Sequence, residues 1–113
     1  MSNSNINIEF SDEFKHNLSV LCKKYRSIRN DIQPILENLK SGELIGDKIP
    51  NINYTVFKIR VKNSDIKKGK SSGYRLIYYL KTSTKIILIT IYSKSDQGNI
   101  APKEIRRIIN DFT

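Results

Sequence analysis

The chain contains one cysteine, Cys22, so it can form no internal disulfide. Its place in a helical pattern reads as a core thiol rather than a nucleophile. There is one histidine, His16, and no tryptophan. No Cys/His spacing suggests a metal, and no nucleophile stands paired with a histidine. Long apolar runs are also missing. The longest, Ile86 to Tyr92, is interrupted by Thr90 and is far shorter than the roughly 20 residues that span a bilayer. The opening "MSNSNINIEF" has neither a basic region nor an extended apolar core, so no secretion signal is expected. No internal repeat, low-complexity stretch or linker is found. Acidic residues are the scarce charge, with 11 Asp and Glu against 20 Lys and Arg.

What remains is a chain of 113 residues, 38% hydrophobic and 27% charged, which fits one globular domain over residues 1–113. The lone thiol fits a reducing cytoplasm. A net charge of +9 speaks to partners rather than to fold. For so small a domain, nucleic acid or an RNA-rich particle is the leading partner, and a merely soluble basic surface is the plainer reading.

Residues 5 to 10, "NINIEF", alternate and predict a short first strand. Ser11 or Asp12 offers a helix N-cap, and Phe14, Leu18, Leu21, Tyr25 and Ile28 follow on one helical face. Asn30 or Asp31 predicts the cap of a second helix, with Pro34 in its first turn. Its stripe is Ile32, Ile35, Leu36 and Leu39, and Gly42 marks its end. Residues 43 to 55 read as a loop. The period then changes to two: Phe57, Ile59 and Val61 share one face of a strand, and Lys58, Arg60 and Lys62 share the other. Strands over about 74 to 80 and 85 to 92 follow, then a helix with the stripe Ile105, Ile108, Ile109 and Phe112. The order β-α-α-β-β-β-α predicts an α+β fold, an antiparallel sheet covered on one face by an N-terminal helical hairpin.

With "KTST" as the loop between the last two strands, Leu80 is expected opposite Lys85 and Arg75 opposite Thr90. Tyr92 then lies two positions further along on the face of Arg75. The basic loop "NSDIKKGKSSG" enters the same end of the sheet. Lys67, Lys68, Lys70, Arg75, Tyr92 and Lys94 are thereby expected to gather there. No carboxylate pair accompanies them, and "GKSSG" lacks the spacing and the following helix of a P-loop. Cations can neutralise charge growing on a phosphorane, and a lysine or tyrosine can move protons. RNA brings its own nucleophile, the 2′-OH. Each residue also has a bland reading: solvated loop lysines, a structural Arg75, a core Tyr92. Tyr74, Tyr78 and Tyr79 fit either base stacking or the core. Lys103, Arg106 and Arg107 fit either a solvated or an RNA-facing side of the last helix.

The runs "KKGKSSGYRLIYYL", "IILITIYSKSDQGNI" and "KEIRRII" resemble the RelE/HigB-type toxins of bacterial toxin–antitoxin pairs, closest to the HigB-like branch. The likeness covers roughly residues 54 to 110. It implies a RelE-like fold and a metal-free endoribonuclease that needs no cofactor, enters the ribosomal A site and cleaves the mRNA there. Arg75 matches the arginine that holds the scissile phosphate. Lys68 matches a lysine that moves protons or stabilises charge, Lys94 a basic residue after the last strand, and Lys70 a phosphate contact. Lys67, Arg60 and Lys62 join Lys70 as expected RNA-binding residues. Relatives carry a tyrosine or histidine beyond the last strand, whereas "QGNIAPKE" here has neither, which leaves Tyr92 as the phenol nearby. The implied partners are mRNA, ribosomal RNA and a helix-turn-helix antitoxin, with no membrane. Two other readings stay open: a ParE-like gyrase-poisoning toxin of the same fold, and a non-catalytic RNA-binding module.

Overall fold

The computed structural model describes residues 6–66 and 73–112 of the chain. Its elements are β1 (Asn7–Phe10), α1 (Asp12–Lys24), α2 (Ile28–Lys40), β2 (Asp47–Lys48), β3 (Val56–Val61), β4 (Tyr74–Thr82), β5 (Lys85–Ser93) and α3 (Pro102–Phe112). The strands form one sheet in the order β1-β5-β4-β3-β2. The α+β class and the order of the main elements are as the sequence predicts, with β2 added inside the stretch read as loop. Gly46 permits that addition. It has φ of 101°, and a Cβ there would lie 2.7 Å from the carbonyl oxygen of Lys58.

The sheet is mixed, which corrects the expectation of antiparallel pairing throughout. β2, β3, β4 and β5 pair antiparallel, but β1 lies parallel to β5 with Ile8 beside Ile86. Parallel neighbours need a long crossover, and the intervening helices and strands supply it. Ser11 fastens this corner. Its hydroxyl accepts the Phe14 N–H at 3.0 Å, capping α1, and donates to the Ile89 carbonyl at 2.6 Å. The cap alone contributes about 1 kcal/mol.

Phe14, Leu21 and Tyr25 are buried where the periodicity puts them, and Leu18 is half-buried. Ile28, read as part of the same helix, instead opens α2. The second helix thus starts before Asn30 and Asp31, and Pro34 falls inside it rather than in its first turn. One intrahelical bond is lost there. Asp31, released from capping, accepts the Ser64 N–H at 3.0 Å, and Asp65 accepts the Ser27 N–H at 2.8 Å. These two bonds clasp the chain after β3 to the start of α2. The helix ends as expected. Gly42, at φ 94°, donates to Leu39 and Glu43 donates to Asn38, the two bonds of a Schellman motif.

Two apolar layers sandwich the sheet. On one face Phe14, Ile28 and Leu39 of the hairpin pack on Ile59, Leu76, Tyr78 and Leu88. On the other face Ile105, Ile108 and Ile109 of α3 pack on Val56, Ile77, Ile87 and Ile89. The sheet is therefore covered on both faces, not by the hairpin alone.

The register of the last hairpin also differs from expectation. The turn is formed by Ser83 and Thr84, with Thr82 opposite Lys85 and Leu80 opposite Ile86. Irregularities after Ile77 and after Leu80 offset the ladder, so Arg75 lies opposite Tyr92 and Ile77 opposite Thr90.

Candidate active site

Arg60 on β3, Arg75 on β4 and Tyr92 on β5 lie directly opposite one another, in one row across three strands. Alternation puts all three on the α3 face, because Ile77 and Tyr79, in step with Arg75, pack in that layer. Two arginines facing each other break a rule of sheet pairing, since like charges directly opposite destabilise. Neither has an ion-pair partner among the described residues. The ion pairs there lie elsewhere, as Lys24–Asp96, Lys85–Glu9 and Arg107 with Glu13, Glu104 and Asp111.

Arg60 is exposed, but Arg75 is only 6% exposed and Tyr92 5%. Among the described residues the one hydrogen bond of the Arg75 guanidinium runs from Nη1 to the neighbouring Tyr74 carbonyl at 3.2 Å. The Tyr92 hydroxyl is buried with no hydrogen-bond partner among the described residues. A desolvated cation thus stands beside an unused phenol, an arrangement that an anion with acceptor oxygens would complete.

Gly73 immediately precedes the strand that carries Arg75, where only glycine fits. A Cβ there would lie 2.3 Å from the Val61 carbonyl oxygen, so any side chain would push β4 off β3 next to the row. Lys94 follows β5 and is held at the same end by its N–H, which donates to the Gly73 carbonyl at 2.9 Å. It is half-buried, and Lys62, just past β3, is exposed. Lys67, Lys68 and Lys70 lie outside the described residues.

The tyrosines separate by face. Tyr74 and Tyr78 are fully buried on the hairpin side, which rules out base stacking by either. Tyr74 packs edge-on against Tyr25; burial first, then Asp31 and Asp65, hold its phenol well above the usual tyrosine range. Tyr78 donates to the Ile45 carbonyl at 2.7 Å, and burial pushes it up to about 12. Tyr79 is half-buried on the α3 face, edge-on to Tyr54. Arg107 is engaged by three carboxylates, which resolves it as a surface ion-pair residue bridging α3 to α1.

Sequence reasoning gave no role to Lys58, which shares the basic face. Its Nζ donates to Asn99 Oδ1 at 3.5 Å, joining β3 to the segment after β5. It also missed the Asp31–Ser64 and Asp65–Ser27 clasp, which has no local sequence signal. Among the described residues no helix is long and apolar enough to cross a membrane.

The family model described as the RelE toxin of the RelE/RelB toxin–antitoxin system matches residues 37–110. The chain belongs to the RelE toxin family. The match begins inside α2 and takes in β2 to β5, nearly all of α3 and every candidate site residue. Comparison with curated proteins finds no match. As a RelE-family protein the chain is the toxin of a toxin–antitoxin pair, and its counterpart is an antitoxin.

Proposed function

We propose that this RelE-family toxin cleaves translated mRNA in the ribosomal A site and so arrests translation in the cytoplasm. The observation that carries the reading is the buried Arg75, without a counter-ion among the described residues, directly opposite both Arg60 and Tyr92, whose buried hydroxyl has no partner among those residues either. A phosphodiester supplies what this group of side chains lacks, a negative charge and acceptor oxygens.

In the proposed reaction the ribose 2′-OH attacks the adjacent phosphorus and loses its proton to a basic group. The P–O5′ bond breaks, leaving a 2′,3′-cyclic phosphate and a 5′-hydroxyl. Arg75 neutralises the charge that grows on the non-bridging oxygens, where desolvation strengthens its effect. Tyr92 is assigned to the departing 5′-oxygen, as a hydroxyl with its proton free to give. Lys68 and Lys94 are assigned to charge stabilisation and proton transfer. Arg60, Lys62, Lys67 and Lys70 hold the flanking backbone. The net charge of +9 supports attraction to ribosomal RNA. The proposed partner that silences the toxin is a helix-turn-helix antitoxin with an acidic segment complementary to this face.

The test is induction of wild type and Arg75→Ala, with 5′ ends mapped on translated messages. Codon-phased cuts in wild type alone are expected. Their absence removes the reading, and DNA-damage signalling ahead of translational arrest would reassign the protein to a gyrase-directed role.

A further inference from the structure

Residues 48 to 55 enclose an open groove of about 580 Å³. It lies on the α3 face, because Ile49, Ile52 and Tyr54 belong to the apolar layer beneath α3. The Arg60–Arg75–Tyr92 row is on the same face. Val56 begins β3 directly after the groove, and Arg60 is four residues further on, so groove and row are about 13 Å apart along the strand. Lys58, between them, donates to Asn99 and places a cation on the path.

The lining chemistry suits a nucleobase. Tyr54 is half-buried, with its ring edge-on to Tyr79 and its hydroxyl donating to Asn110 Oδ1 at 3.3 Å. Asn51 and Asn53 are exposed, and neither amide has a hydrogen-bond partner among the described residues. Each carries a donor and an acceptor, the pair needed to read a base edge. Lys48 adds a cation for the phosphate that follows.

Both asparagines have positive φ, 61° at Asn51 and 66° at Asn53. Asparagine is among the few side chains that tolerate this region, so a bland account exists in which they serve only to shape the loop. Glycine meets the same backbone need without an amide, and that difference separates the two accounts.

We infer that the groove over residues 48–55 is a base-recognition subsite, in which Asn51 and Asn53 read a nucleobase of the mRNA a few nucleotides from the linkage held at Arg75. The inference deepens the nuclease reading and rests on it for the identity of the strand. Asn51→Gly/Asn53→Gly keeps the left-handed loop and deletes both amides. Its melting temperature should match wild type. Mapped cuts should still appear, with the base preference at one position a few nucleotides from the cut weakened about tenfold.

A second pair, Asn51→Asp/Asn53→Asp, replaces donors with acceptors and should redirect or abolish that preference. In the Arg75→Ala background, binding of short RNAs of differing base composition, followed by fluorescence anisotropy, should lose its base dependence with the glycine pair. If wild type makes no cuts, the nuclease reading fails. If wild type cuts and both double variants keep its preference, the groove inference fails alone. A glycine pair that unfolds while the aspartate pair keeps the wild-type preference also overturns it.

Discussion

Replacing Arg75 with methionine separates a binding arginine from a structural one. Arg75 is 6% exposed, faces Arg60 across the ladder, and among the described residues its guanidinium makes one hydrogen bond, to the Tyr74 carbonyl. An ion desolvated without a partner costs several kcal/mol even after the surroundings relax. Against that stand about 1 kcal/mol for the hydrogen bond and the packing of the aliphatic stem, most of which methionine retains. The balance favours the variant by about 1–3 kcal/mol. With about 2.1 cal/mol/K per residue, unfolding 113 residues releases about 0.24 kcal/mol/K, so each kcal/mol moves the melting midpoint by about 4 °C. Arg75→Met should therefore melt about 4–12 °C above wild type while losing toxicity. A second arm uses inorganic sulfate as a phosphate stand-in. At ten times its dissociation constant a bound anion adds about 1.4 kcal/mol, and most of that gain should be absent from the variant. A midpoint several degrees below wild type would show that Arg75 supports the fold, and the reasoning from an unpaired buried charge would fail.

Tyr92→Phe should leave stability unchanged or raise it by up to about 1 kcal/mol, because the hydroxyl is buried without a partner among the described residues. Single-turnover cleavage should slow by about 10²-fold; full activity would exclude the phenol as proton donor. Gly73→Ala should cost about 1–3 kcal/mol in urea unfolding and impair cleavage, since its Cβ would meet the Val61 carbonyl at 2.3 Å; an unchanged midpoint would contradict that close approach. Tyr78 is held up to about 12, above the ordinary tyrosine value near 10. Between these values the unfolded chain has released the proton and the folded chain has not, so stability is complete below pH 10 and falls as pH rises toward 12. Tyr78→Phe should flatten that decline in alkaline denaturation by on the order of 1–2 kcal/mol.

Local pattern carried much of the fold and part of the site. The period-two run "VFKIRVK" put Arg60 opposite in face to Ile59, and the structure buries Ile59 under the hairpin and leaves Arg60 exposed on the other side. The register expected from the "KTST" loop makes Arg75 and Tyr92 neighbours on one face, and the structure shifts that register by two. An even slip exchanges partners but not faces, so the pair stayed together and became directly opposite. Helix ends were less secure. Asp31 resembles a cap in sequence, yet its carboxylate goes to Ser64, a partner 33 residues away that no nearby residue announces.

The sequence alone determined which residues share a face and that Arg60, Arg75 and Tyr92 stand on one side of the sheet, because strand and helix periods are set by covalent geometry and sterics. Only the tertiary structure decided that Arg75 is buried without a counter-ion among the described residues, that Tyr74 and Tyr78 belong to the core, that α3 covers the second face, and that β1 lies parallel to β5. Those outcomes depend on contacts between segments distant in sequence. Burial and charge compensation are properties of the assembled layers rather than of any one strand.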